Sequence, residues 1–141
     1  MRMLVLIALG LAVACPVRAA DSLVDGADRA AIHRVIQDQM EAFQRDDGAA
    51  AFAFAAPRIK SIFRDPDTFM NMVRDTYAPV YRPAHVSFRD LERIDGKLIQ
   101  PVLVIGPSGV PVTALYIMER MDDGVWRIGG VVLVAEPDKG A

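Results

Sequence analysis

The chain has 141 residues, a formal net charge of −2 and 24% charged residues. Its basic residues are scattered rather than clustered, which argues against a nucleic acid as partner. The single cysteine, Cys15, lies near the N-terminus, so disulfides, thiol chemistry and thiolate metal sites are excluded from the remainder of the chain.

The N-terminal residues have the pattern of an export signal. An early Arg is followed by an unbroken apolar stretch from Met3 to Ala14 and then by small residues. A membrane-spanning helix needs about 20 apolar residues, and this stretch is shorter. Residues 1–19 are therefore predicted to be a secretory signal peptide, cleaved before Ala20. Residues 20–141 would then form a single periplasmic or secreted domain without a transmembrane segment.

A lipoprotein signal is the alternative interpretation of the same segment. In that case Cys15 would be acylated and would become the first residue of the processed protein. Ala12 stands where that motif usually has a larger aliphatic residue, and Pro16 follows the cysteine directly. The segment therefore fits cleavage before Ala20 better than acylation at Cys15.

The first half of the chain is predicted to be helical. A long amphipathic helix is expected from an N-cap at Asp28 to about Asp46, because apolar residues recur at steps of three and four. Gln39 falls within this apolar stripe when residues are placed at 100° steps. A buried amide needs partners, so Gln39 either bonds to sheet backbone as a core residue or points into a hydrated cavity as a ligand contact. The stripe comprises Ile32, Val35, Ile36, Met40 and Phe43.

Shorter helices are predicted after the long one. The stretch "GAAAFAFAAPRIKSIF" indicates one or two helical turns broken at Pro57. Asp65 is the expected cap of a further helix with Pro66 at its first position, and this helix should end near Tyr77.

A proline-rich segment, "TYAPVYRPAH", connects the helices to the strands. Pro79 and Pro83 predict a stiff, extended crossing over the mouth of a cavity. Tyr77 and Tyr81 would line that mouth, with Arg82 as an anion contact. The alternative is a rigid connector whose aromatic rings cover the edge of the core and whose Arg is solvated.

Four β-rich runs occupy the second half: "HVSFRDLERI", "KLIQPVLVIG", "VPVTALYIMERM" and "VWRIGGVVLV". Turn signals separate them, including Asp95-Gly96, a strong hairpin signal. We predict an α+β fold, in which the helices pack on one face of a sequential four-stranded antiparallel meander. Pro101, inside the second run, predicts an edge or a bulge.

The middle strands are apolar on both faces. Leu103 and Ile105 alternate with Val102 and Val104, whereas a sheet with one solvated face should alternate apolar and polar residues. Either a homodimer forms through the outer sheet face, or the curvature of the sheet hides its own outer residues. Tyr116, on the next strand, is a candidate ligand contact.

The last strand contains the single tryptophan. Trp126 and Ile128 share one parity and should face the helices, while Arg127 faces away. Trp126 is therefore predicted to be mainly a core residue, with its indole edge at the cavity. Gly129 and Gly130 permit a bend or bulge at the end of the strand.

Residues suited to catalysis are few. His33 and His85 are isolated, and neither their spacing nor any other motif predicts a metal or a cofactor. Asp90 and Glu92 share parity with Phe88 on the first strand, so an inward carboxylate could act as a general base. The alternative is a solvated, charge-alternating strand end.

Most of the chain resembles a known family. Residues 35–134, especially "IQDQMEAFQRDDGAAAFAFAAPRIKSIFRDPDTFMNMVRDTYAPVYRP" and "GVPVTALYIMERMDDGVWRIGGVVL", resemble a bacterial family catalogued as domain of unknown function 4864. The long helix, short helices and antiparallel strands look like the cystatin-like cone fold of nuclear transport factor two and the SnoaL-like proteins. The resemblance implies that fold but no catalytic residues, because the cone fold hosts isomerases, dehydratases, binding modules and inactive subunits alike.

Three functions remain open at this point. The first is a non-enzymatic module that binds a small apolar or amphipathic ligand or a protein partner. The second is an isomerase or hydratase that uses Asp90 or Glu92, and the third is a structural subunit of an envelope complex. Binding predicts a cavity lined by Gln39 and aromatic residues, catalysis also requires an inward carboxylate or histidine, and a subunit requires neither.

Overall fold

The computed structural model describes residues 24–137. The predicted signal peptide, residues 1–19, and the alternative acylation site, Cys15, lie outside these described residues. Within the described range, five helices come first: α1 Gly26–Gln44, α2 Gly48–Ala53, α3 Pro57–Phe63, α4 Pro66–Thr76 and α5 Ala78–Tyr81. Five strands follow in the same range: β1 His85–Phe88, β2 Glu92–Ile94, β3 Lys97–Ile105, β4 Pro111–Arg120 and β5 Trp126–Ala135. The helices pack on one face of the antiparallel sheet, which confirms the predicted α+β fold.

Helix α1 begins three residues earlier than expected. Its N-cap is Asp25, whose Oδ1 accepts a hydrogen bond from the Asp28 backbone at 2.8 Å, while Oδ2 of Asp28 accepts from the Asp25 backbone at 3.3 Å. The predicted cap at Asp28 is therefore wrong, because a capping box needs a polar side chain at both ends of the first turn and Asp28 is its second member. The helix ends at Gln44, before Asp46 takes a left-handed φ of 53°.

Pro57, Pro66 and Pro79 each lie in the first turn of a helix. The stretch predicted to be broken at Pro57 forms two short helices, α2 and α3, that are separated at residues 54–56, and Pro57 is the first residue of the second. Pro66 opens α4 behind Asp65, whose side chain accepts a hydrogen bond from Thr68 at 2.8 Å, as predicted. The crossing expected to be extended contains the short helix α5, with Pro79 in its first turn. A proline is tolerated there because no partner exists for the missing N–H.

The predicted meander is confirmed, with its first strand divided in two. The strand order is β1-β3-β4-β5, and β2 also pairs with β3. Phe88 faces Val102 and Glu92 faces Ile99, so three residues on one strand, 89–91, lie opposite two on the other. Asp95 and Gly96 both have positive φ in the β2–β3 turn, as a type I′ hairpin requires.

Pro101 lies opposite this interruption. Its carbonyl accepts a hydrogen bond from the Arg89 backbone at 3.0 Å, within the irregular stretch between β1 and β2. The predicted bulge is therefore confirmed, but the predicted edge position is wrong, because β3 has β1 and β2 on one side and β4 on the other.

The diglycine forms a bulge in the interior of β5, not at its end as expected. Met118 faces Ile128 and Ile117 faces Gly130, so Gly129 is the extra residue. The strand continues beyond this bulge to Ala135, because the following residues pair regularly with β4.

The core lies between α1 and the inner sheet face. Ile32 and Ile36 of α1 are fully buried, and Trp126 and Ile128 are buried at the start of β5 as predicted. On the outer face, Thr113 is also buried, because the side chain of Arg89 reaches its hydroxyl at 3.1 Å. The side chain of Arg89 thus covers part of the outer face of the sheet.

None of the helices within residues 24–137 combines the length and apolar character that a membrane crossing needs.

Candidate functional site

An open cleft of about 310 Å³ lies between α3, α4 and the free edge of the sheet. We call it the apolar cleft, because among the described residues only Gln39 and Tyr77 of its lining have a polar side chain. Its volume falls at the lower end of the range of about 300–1,000 Å³ typical of small-molecule sites. The lining residues are Gln39, Phe43, Ala55, Ile59, Ile62, Phe63, Phe69, Met72, Val73, Tyr77, Val80, Ile117, Ile128, Gly130, Val131 and Val132.

The apolar cleft runs from the core to the surface. Phe43 and Val73 lie at its floor and are almost fully buried. Ile62 and Val132 lie at its mouth, with exposed fractions of 58% and 50%. An apolar surface that continues from the core into solvent is unfavourable when empty, because water must cover it.

Backbone pairing between the α2–α3 connection and β5 creates the cleft. The Ile128 backbone donates to the Phe54 carbonyl at 2.9 Å and accepts from the Ala56 backbone at 2.8 Å. This short parallel bridge fixes α3 beside the edge strand β5. The bridge ends there, and Gly130 and Val132, farther along β5, form one wall of the cleft.

Gln39 is buried, as its place in the helical stripe predicted, and it also lines the apolar cleft. Its Nε2 donates to the Ala51 carbonyl at 3.1 Å. The expected partner was sheet backbone, but the carbonyl belongs to α2, because α2 packs against α1 at this level. The amide nitrogen therefore joins two helices at the floor of the cleft.

Tyr77 also lines the apolar cleft. Its hydroxyl donates to the Val131 carbonyl at 2.9 Å, which ties the end of α4 to β5. This bond uses the hydroxyl proton and leaves the ring against the cavity.

Tyr81 and Arg82 hold the end of α1 instead of lining the apolar cleft. The Tyr81 hydroxyl donates to Asp46, and Nη2 of Arg82 lies 3.0 Å from the second Asp46 oxygen. Nη1 of Arg82 also donates to the Phe43 carbonyl, one of the last carbonyls of the helix. The hydrogen bond from Tyr81, followed by the charges of Arg82 and Arg74, holds the pKa of Asp46 below its ordinary value.

Tyr116 is fully buried on the inner sheet face and does not line the apolar cleft. Its hydroxyl has no hydrogen-bond partner among the described residues, and burial raises the pKa of Tyr116. Gln100, its neighbour on β3, is also fully buried. Its Oε1 likewise has no partner within residues 24–137. Both groups lie in the core and neither residue lines the apolar cleft.

Trp126 lies outside the apolar cleft and lines a second cleft of about 460 Å³. Its Nε1 donates to Oδ1 of Asp28 at 3.2 Å. The guanidinium carbon of Arg120 lies 5.7 Å from the centre of the indole ring and Arg120 also pairs with Asp28 at 3.7 Å. The indole therefore fastens the start of β5 to the first turn of α1.

The two carboxylates considered as general bases are separated. Asp90 is exposed and lines a polar cleft of about 540 Å³ that also contains His33 and Gln100. Glu92 faces Ile99, whereas Phe88 faces Val102, so the bulge between β1 and β2 places Glu92 on the opposite sheet face from Phe88. The shared parity expected from a continuous strand is therefore wrong for Glu92.

Among residues 24–137, no three side chains of His, Cys, Asp or Glu are grouped so that they could hold a metal ion.

Most of the residues in the wall of the apolar cleft were not predicted from the sequence. Ile59, Ile62 and Phe63 of α3 line the cleft. The available signal was that Ile62 and Phe63 follow Ile59 by three and four residues, the spacing of one helix face. What the sequence did not show is which element these side chains would face.

The fold and the cleft define an α+β protein with a ligand-sized apolar cleft at the edge of its sheet. The chain belongs to the family described as Domain of unknown function (DUF4864), whose pattern matches residues 25–141. The match confirms the family resemblance and assigns no activity. No curated protein matches the chain.

Proposed function

We propose that the chain is a binding module that takes a small apolar or amphipathic ligand in the apolar cleft. The observation that carries this proposal is the continuous apolar wall from buried Phe43 and Val73 to exposed Ile62 and Val132. Burial of an apolar ligand against such a wall removes apolar surface from water on both partners.

The polar groups of the cleft favour binding over catalysis. Among the described residues, no Asp, Glu or His lines the apolar cleft. The Gln39 amide nitrogen bonds to Ala51 and the Tyr77 hydroxyl bonds to Val131, so both serve the fold. An isomerase or hydratase would need a proton-transferring group within reach of the ligand.

The test is the binding of an apolar fluorescent probe, N-phenyl-1-naphthylamine, to wild type and Gly130→Leu. Gly130 lines the apolar cleft, and a Cβ at this position would meet Cδ1 of Ile117 at 3.4 Å, so a leucine here should occupy space in the cleft. Gly26→Leu is the matched control, because a Cβ at Gly26 would meet nothing within 4 Å. We expect wild type and Gly26→Leu to bind the probe and Gly130→Leu to lose most of its affinity. Equal binding by all three would contradict the proposal.

Export is part of the same proposal. The support is the N-terminal pattern of residues 1–19, with cleavage before Ala20 rather than acylation at Cys15. Membership of the cystatin-like, nuclear transport factor two-like superfamily is proposed as well. Its support is the succession of a long helix, short helices and an antiparallel meander.

Self-association through the outer sheet face is a further proposal. Val132 and Val134 support it, because they are exposed on that face beside the apolar residues of β4. Sedimentation velocity of wild type and Val134→Lys tests it. A concentration-dependent dimer that Val134→Lys abolishes is expected, and a wild type that stays monomeric at all concentrations would contradict it.

A further inference from the structure

The second cleft, of about 460 Å³, is basic. Four cationic side chains line it: Arg58 of α3, Arg93 of β2, Lys97 of β3 and Arg120 of β4. Among residues 24–137, Glu119 is the one acidic side chain in its lining, so these side chains give the cleft a formal charge of +3 in a chain whose net charge is −2. We call it the basic cleft. A local excess of positive charge on an acidic protein attracts anions to that place.

Three of these cations are not neutralised by the fold. Within the described range, Arg58, Arg93 and Lys97 form no salt bridge, whereas Arg120 pairs with Asp28 at 3.7 Å. Arg58, Arg93 and Lys97 are exposed and come from three different elements. Cations that converge from separate elements without internal partners can rearrange around an incoming anion at little cost.

The apolar cleft and the basic cleft adjoin each other. Ile117 lines both of them. On β5, Gly129 lines the basic cleft and Gly130 lines the apolar cleft. On α3, Arg58 lines the basic cleft and Ile59 lines the apolar cleft. The boundary between the two therefore runs across the diglycine bulge and the first turn of α3.

A carboxylate lies at this boundary. A Cβ at Gly129 would overlap the carboxylate of Glu119, which lies directly over the glycine. Glu119 thus sits at the junction, where its negative charge partly offsets the nearby cations. An anion bound beside it must outweigh this repulsion through Arg58, Arg93 and Lys97.

We infer that the ligand is an anionic amphiphile, specifically a fatty acid. Its alkyl chain occupies the apolar cleft and its carboxylate lies among Arg58, Arg93 and Lys97 in the basic cleft. The volume of about 310 Å³ favours a single chain over a two-chain lipid. This inference rests on the proposed ligand-binding function and adds the charge and class of the ligand.

Titration calorimetry with dodecanoate, 1-dodecanol and butyrate tests the inference. The protein is expressed from its complete coding sequence and purified as the cell processes it. Dodecanol has the same chain without the charge, and butyrate has the charge without the long chain. We expect dodecanoate to bind at least about tenfold more tightly than dodecanol, and butyrate to show no measurable binding. Added salt should weaken the binding of dodecanoate only.

A triple variant locates the carboxylate. Arg58→Gln, Arg93→Gln and Lys97→Gln together should reduce the affinity for dodecanoate to that for dodecanol and leave dodecanol binding unchanged. Because all three side chains are exposed, the variant should keep the melting temperature of wild type. The control variant changes the same number of exposed positive charges outside both clefts: Arg34→Gln, Arg45→Gln and Arg64→Gln.

The single variant Glu119→Gln removes the opposing charge and should strengthen dodecanoate binding. Equal affinities for dodecanoate and dodecanol, or an equal loss in the triple and control variants, would overturn the fatty-acid inference and leave the apolar cleft as a binding site. Absence of binding by both long-chain compounds would overturn the proposed function as well.

Discussion

The indole nitrogen of Trp126 donates a hydrogen bond to Oδ1 of Asp28 across 3.2 Å, joining two residues 98 positions apart. Asp28 also accepts a hydrogen bond from the Asp25 backbone in the capping box and pairs with Arg120. The Asp28 carboxylate thus completes the capping box of α1, receives the indole of β5 and neutralises a cation of β4. The last strand and the first helix of the described chain are fastened together at this point.

Replacement of Trp126 should therefore destabilise the fold. Trp126→Ala should lower the free energy of unfolding by about 3–5 kcal/mol, because a large side chain is removed from a packed site. Trp126→Phe should cost less, since it loses the hydrogen bond to Asp28 and keeps most of the packing. Urea unfolding measures both. Val125→Ala, at the exposed neighbouring residue, should change stability by no more than about 0.5 kcal/mol. An unchanged midpoint for Trp126→Ala would contradict the buried position.

Gln39→Leu should lower stability by about 1 kcal/mol, at the small end of the cost of an unpaired buried group. The reason is that the Ala51 carbonyl loses the amide of Gln39 but still accepts a hydrogen bond from the Phe54 backbone at 3.3 Å. Thermal or urea unfolding checks this, with Gln37→Leu on the exposed face of α1 as control. A variant more stable than wild type would show that the amide contributes nothing to the core.

The carboxylate of Asp46 should make stability depend on pH in acid. Its pKa in the folded state is lowered from the ordinary value of 3.8, chiefly by the hydrogen bond from Tyr81 and then by Arg82 and Arg74. The stabilisation is thus present above about pH 3.8 and is lost as pH falls through the lower folded pKa. Wild type should be more stable than Asp46→Asn at pH 7. This difference in stability should shrink as the pH falls below about 3.8.

Urea unfolding of wild type and Asp46→Asn between pH 7 and pH 2 measures this difference. Tyr81→Phe removes the interaction that lowers the pKa of Asp46 most. In the Tyr81→Phe background, Asp46→Asn should therefore change the free energy of unfolding at pH 7 by less than it does in wild type. A difference that stays constant down to pH 2 would show that Asp46 has an ordinary pKa in the folded protein.

Intact mass of the processed protein tests the export proposal. The expected species begins at Ala20 and has no modification. A species that begins at an acylated Cys15 would instead establish the lipoprotein signal, and a species that retains residues 1–19 would show that no cleavage occurs.

Regular elements could be predicted from the sequence because their signals are local. The apolar stripe of α1 placed Gln39 in the core, and the Asp95-Gly96 turn predicted the β2–β3 hairpin. The buried position of Trp126 followed from the alternation of a single strand. Each of these inferences depends on residues within a few positions of one another.

The site could not be predicted, because it depends on long-range pairing. The bridge between Ala55 and Ile128 places α3 at the edge of the sheet, and no periodicity in either segment indicates that contact. The bulge between β1 and β2 also moved Glu92 to the other face of the sheet, since one extra residue reverses the alternation of a strand. Gln39 and Tyr77, two of the candidates chosen from the sequence, line the apolar cleft, whereas the wall opposite them was not predicted.

Methyl NMR of the isoleucine and valine side chains, during titration with 1-dodecanol, tests the central claim most directly. If the apolar cleft is the binding site, the methyl signals of Ile62, Val73 and Val132 shift together with one dissociation constant. The signals of Val86 and Val110, which do not line the cleft, stay in place. Shifts confined to residues outside the cleft, or no saturable shift at all, would contradict the claim.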